Sequence, residues 1–81
     1  MFKARTADGR NNISGRRVKE LRKALQISQR ELSDRLQVVG LDIDKNAVQR
    51  IESGERFVTD IEIIALSKCF NVTINNLLGI K

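Results

Sequence analysis

An 81-residue chain with a net charge of +5 is one small domain, and a domain of this size buries only about 60% of the surface its unfolded chain exposes. With 3 Phe and no Trp, Tyr or Pro, its core has to come from Leu, Ile, Val and Ala, which suits helices packed through aliphatic faces. The lone Cys69 and the absence of His exclude an internal disulfide or a His-completed zinc site, and no apolar run nears the roughly 18 residues of a membrane span.

Residues 1–11 show no apolar period and read as a mobile basic arm ahead of a domain at 12–81. The opening MFKARTADGR has no apolar block of a secretory kind. From Asn12, the expected cap, a first helix is predicted near 13–25 with Val18, Leu21, Arg22 and Leu25 on its inner face. Ser28-Gln29-Arg30-Glu31 has the spacing of a capping box and opens a second helix that buries Leu32 and Leu36. Gly40 breaks it, and Val38, Val39, Leu41 and Ile43 are expected to hold the following connection against the core.

Asp44 caps a third helix over 45–53, and Gly54 stands where a left-handed stop is usual. Thr59-Asp60-Ile61-Glu62 repeats the capping-box spacing and opens a fourth helix to about Phe70, apolar at Ile61, Ile63, Ile64, Ala65, Leu66, Cys69 and Phe70 and so expected to be buried on more than one side. In this reading Cys69 is a small buried hydrophobe in a reducing cytosol. Asn71 ends the fourth helix, and Thr73 opens a short fifth one with Ile74, Leu77 and Leu78 turned inward.

Charge is spread unevenly. Residues 1–30 hold 9 Lys or Arg against Asp8 and Glu20, whereas the remainder holds 6 basic and 8 acidic residues. A one-sided cationic region attracts polyanions, nucleic acid among them. An ordinary solvated basic surface would have the same composition.

Residues 15–29 (GRRVKELRKALQISQ), 31–36 (ELSDRL) and 48–54 (VQRIESG), followed by ERFVTDIEIIALSKCFNVTINNLL, resemble the Xre-type helix-turn-helix family of phage repressors and Cro. The resemblance covers about residues 13–79. It implies an all-α, compact five-helix bundle of the lambda-repressor-like kind that binds double-stranded DNA. Three features depart from the family pattern: a link between the second and third helices about five residues longer, Ser14 in place of an apolar residue, and Gln26 in place of glycine after the first helix.

A helix that reads DNA buries one side and offers polar groups on the other. At about 100° per residue, Val48, Ile51 and Glu52 share one side of the third helix, and Asn46, Gln49, Arg50 and Ser53 the opposite one, with Lys45 at the flank. Asn pairs with adenine and Arg or Lys with guanine through two bonds, so Lys45, Asn46, Gln49 and Arg50 are the candidate base contacts. Ser28 and Gln29 begin the second helix, where free amides favour a phosphate. The resemblance implies that Gln29 holds the DNA backbone, and Arg56 is a further phosphate candidate. Lys3, Arg5 and Arg10 are placed to reach a minor groove or to trail in solvent. Arg22 and Glu52 face inward and are expected to form a partly buried ion pair, which the resemblance also implies.

No His, cysteine cluster or glycine-rich phosphate loop suggests catalysis, and no cofactor or metal is expected. The resulting expectation is a cytoplasmic, sequence-specific DNA-binding transcriptional regulator, a repressor, working as a homodimer without a membrane partner. A DNA-binding antitoxin with a protein partner and a protein-interaction module that binds no DNA are the alternatives.

Overall fold

A computed structural model describes residues 5–80. Five helices and no strand form among these residues: α1 (Gly15–Ala24), α2 (Gln29–Val38), α3 (Lys45–Ser53), α4 (Asp60–Phe70) and α5 (Ile74–Leu78). The all-α five-helix expectation holds.

Local hydrogen-bond chemistry fixes four of the five starts. Ser28 accepts from the Glu31 amide and Thr59 from the Glu62 amide, each with the return bond that completes a capping box; Asp44 and Thr73 cap through the Ala47 and Asn76 amides. Each cap satisfies a donor that a helix start otherwise leaves bare, worth about 1 kcal/mol.

The first helix departs from expectation. It begins at Gly15 behind Ser14, whose side chain makes no capping bond. Asn12, expected as the cap, stands further out; its Oδ1 accepts from the Gly15 amide at 2.8 Å while its Nδ2 donates to Ile51 O and Arg56 O. Asn12 thus still satisfies the first amide of α1, as a cap does, and at the same time ties that start to the chain around the end of α3.

At the other end of α1 the chain turns left-handed at Gln26, φ +58°. There Gln26 N donates to Lys23 O and Ile27 N to Arg22 O, a paired stop that glycine usually serves. The helix stops at Ala24, and Leu25, expected to be inward, is exposed.

Every helix contributes to one core: Val18 from α1, Leu32 and Leu36 from α2, Val48 and Ile51 from α3, Leu66 from α4 and Leu77 from α5 are fully buried. α3 packs on both α1 and α2, α2 also on α4, and α5 on α4 and α1. Cys69 is partly buried against this core.

Residues 39–44 connect α2 to α3. Ile43 is buried and Leu41 half-buried, and Gln37 Nε2 donates to Ile43 O at 3.1 Å. Val38, 87% exposed, and Val39, 40% exposed, do not help to anchor it. On α4, Ile61 and Ile64 face solvent, so this helix buries one side through Glu62, Ala65 and Leu66 and not several. Ile74 is exposed as well, whereas Leu77 is buried and Leu78 half-buried.

Residues 1–4 of the expected arm, including Lys3, lie outside the described residues. At its inner end Arg10 and Asn11 bond to the end of α3, so this part of the segment is docked and does not trail into solvent.

Candidate nucleic-acid interface

Helical periodicity sorts α3 into two sides. Val48, Ile51 and Glu52 are buried, while Lys45, Asn46, Gln49, Arg50 and Ser53 are exposed. Among the described residues, no hydrogen bond or ion pair engages the side chains of Lys45, Asn46, Gln49 or Arg50. Their donors and acceptors are therefore all offered outward, on a helix whose inner side is fixed. The Asp44 cap sets its start, and a row of polar contacts sets its inner face.

That row centres on Glu52, which is buried. Arg22 of α1 donates to both of its carboxylate oxygens, and Gln29 Nε2 adds a bond to Oε1 at 3.1 Å. The expected Arg22–Glu52 pair is thus present, and the bond to Glu52 raises the pKa of the Arg22 guanidinium.

Gln29, expected to meet a phosphate, turns its amide nitrogen inward to Glu52 and is half-buried. Ser28 remains exposed at the start of α2, with its hydroxyl oxygen accepting from Glu31 N at 3.0 Å. Arg56 pairs with Glu62, Nη1 to Oε2 at 2.6 Å, where the Glu62 side chain is 7% exposed. Its guanidinium supports the capping box of α4, which leaves less of it available to a phosphate than the sequence suggests.

The helix-turn-helix family profile matches residues 18–77, from within α1 to within α5. The chain belongs to the helix-turn-helix family. It is Xre-like, and two solved structures share its architecture. The restriction-modification controller protein C.AhdI from Aeromonas hydrophila is 28% identical with a TM-score of 0.68, over 79% of this chain and 86% of that one. The P22 c2 repressor, solved in complex with synthetic operator 9T, is 25% identical with a TM-score of 0.69, over 83% of this chain and 94% of that one. A search of curated protein sequences found no significant match.

In this helix-turn-helix protein several of the amino-terminal cations are already partnered. Arg10 serves α3, Arg16 pairs with Asp8, Arg17 donates to Asn76 of α5 and Arg22 to Glu52. Arg5, Lys19, Lys23 and Arg30 are exposed. Asp8 has its pKa lowered, mainly by the Thr6 hydroxyl bond. Burial pushes the Cys69 thiol up, which favours its protonated form. Among the described residues no three His, Cys, Asp or Glu side chains gather as a metal site.

Two residues without a functional signal in the sequence sit beside α3. Asn11 and Asn12 bond to its last turn and to the chain beyond, some forty residues away. The only sequence signal is Gly15, whose lack of a side chain permits the close approach.

Proposed function

We propose that this helix-turn-helix protein is a DNA-binding transcriptional repressor that inserts α3 into the major groove of operator DNA. The observation that carries this reading is the division of α3: Val48, Ile51 and Glu52 locked inward, and Lys45, Asn46, Gln49 and Arg50 exposed without partners among the described residues. Asn46 and Arg50 are suited to adenine and guanine edges, with Lys45 and Gln49 at their flanks. The P22 c2 repressor, similar along most of its length, was solved on an operator.

Phosphates are held at the start of α2, where Ser28 and Arg30 are exposed and a helix start leaves amides without intrahelical acceptors, with Gln29 fixing the position of that turn. Arg56 has a secondary part, since Glu62 already holds it. The protein acts as a cytoplasmic homodimer and not as an enzyme. Ile61 and Ile64, one helical turn apart on α4 and exposed together with Ile74 and Ile80, supply apolar surface for a second copy.

Selection of bound sequences from a random double-stranded DNA pool tests the reading. The expected result is one enriched motif, an inverted repeat with half-site centres about one helical turn or a multiple apart. No enrichment at low salt would overturn it.

A further inference from the structure

We infer that Arg10, Asn11 and Asn12 are positioning residues for DNA reading, because they hold the carboxyl-terminal end of α3 and thereby fix the angle at which its outer face is presented. The inference rests on the function proposed above and adds the part that sets its specificity.

A helix end leaves carbonyls without partners. Here six consecutive carbonyls, Ile51 to Ser53 in the last turn of α3 and Gly54 to Arg56 just beyond it, receive donors from these three residues. Asn12 Nδ2 donates to Ile51 O at 3.1 Å and Arg56 O at 2.8 Å. Arg10 Nη2 and Nη1 donate to Glu52 O at 2.8 Å and Ser53 O at 3.1 Å. Asn11 N donates to Gly54 O and its Nδ2 to Glu55 O, both at 2.8 Å. Helix closure does not require this set, since the Glu55 and Arg56 amides already return to Arg50 O.

The fit is close on both sides. A Cβ on Gly15 would lie 2.0 Å from Ile51 O, and one on Gly54 would lie 2.8 Å from the Arg10 guanidinium carbon. Two adjacent carbonyls suit the planar fork of Arg, and its charge suits the negative end of a helix. Lysine has the charge without the fork.

The opposite end of α3 is held locally, by the Asp44 cap and the Gln37 bond to Ile43 O, and not by a distant segment. It follows the 39–44 connection, in which Val39 is exposed and only Ile43 is deeply buried. The ties that relate α3 to distant parts of the chain are therefore those at its carboxyl-terminal end together with the Glu52 row. A reading helix must be held within about 0.5 Å of its productive position for its side chains to meet base edges.

The test compares the full chain with Arg10→Ala, Arg10→Lys and the milder Asn11→Ala. Affinity for the selected operator and for a scrambled duplex is measured at one salt concentration, well below each melting temperature, alongside amide hydrogen exchange. Arg10→Ala is expected to lose about tenfold in operator-over-scrambled discrimination, as if one base contact were lost. The Glu55 and Arg56 amides should exchange faster while those of α2 are unchanged. Arg10→Lys should not restore discrimination, and Asn11→Ala should show the same changes to a smaller degree.

If Arg10→Ala weakens both duplexes by the same factor and Arg10→Lys restores them, Arg10 acts as a charge and the inference fails. Unchanged discrimination in Arg10→Ala also overturns it, while the parent protein's own preference would leave the proposed function standing. A parent protein with no preference removes that function and the inference together.

Discussion

The Arg22 guanidinium grips both carboxylate oxygens of Glu52, Nε to Oε2 at 2.7 Å and Nη2 to Oε1 at 3.1 Å, and so joins α1 to α3. The two side chains are 12% and 3% exposed. Arg22 Nη1 also donates to Ile27 O at 2.8 Å, so the same group braces the turn into α2. A pair desolvated to this degree is stable only while both members are present.

Arg22→Ala should therefore lower stability by about 3 kcal/mol, because it leaves the Glu52 carboxylate buried with Gln29 as its remaining side-chain donor. Urea unfolding reads the loss directly. The apolar double change Arg22→Met with Glu52→Leu should cost less than Arg22→Ala alone, since neither a charge nor its partner is then stranded. A loss under about 1 kcal/mol for Arg22→Ala would place the pair with ordinary surface bridges.

Asn46→Ala and Arg50→Ala should each cost about 1–3 kcal/mol at the preferred DNA site, with non-specific binding and melting temperature nearly unchanged. Gln29→Ala should behave differently on two counts. It should weaken specific and non-specific DNA alike, and its bond to Glu52 makes it cost about 1 kcal/mol of fold stability as well. Titrations on specific and scrambled duplexes, paired with melting curves, separate the two classes; full specificity in both α3 variants would remove α3 as the reader.

Gln26→Gly should raise stability by about 0.5–1 kcal/mol. Gln26 sits at φ +58°, where its Cβ crowds the backbone and glycine does not. The Gln26 and Ile27 amide bonds that close α1 are retained because they belong to the backbone. A fall in melting temperature would show that the Gln26 side chain contributes more than its backbone conformation costs.

Ser14→Ala should hold or raise stability, by up to about 1 kcal/mol. Ser14 is 1% exposed and its Oγ has no hydrogen-bond partner among the described residues. A buried hydroxyl left without a partner costs free energy that its removal returns. A calorimetric loss beyond about 1 kcal/mol would mean that the oxygen has a partner in solution, such as a bound water.

Ile61→Lys should dissociate the proposed homodimer while leaving the monomer folded. Ile61 is 70% exposed, so the substitution removes apolar surface from α4 without entering the core. Sedimentation on the free protein should then show a monomer where the parent shows a dimer. A parent protein that is monomeric both free and on its selected DNA would exclude the dimer altogether.

The five helices and the starts of α2, α3, α4 and α5 were determined by the sequence, because a cap joins groups only three residues apart. Ser28 to Glu31, Asp44 to Ala47, Thr59 to Glu62 and Thr73 to Asn76 are all contacts of that span. The two sides of α3 were legible for the same reason, since its period depends on backbone geometry alone. Only the tertiary structure decided what depends on distant neighbours. Asn12 keeps its local bond to the first amide of α1 but also donates to carbonyls 39 and 44 residues away, Gln29 turns to Glu52, and Arg56 is taken by Glu62. Ile61 and Leu66 read alike in sequence, yet one is 70% exposed and the other fully buried. Which apolar side of α4 meets α2 and α5 is settled by three-dimensional packing, and no local pattern encodes it.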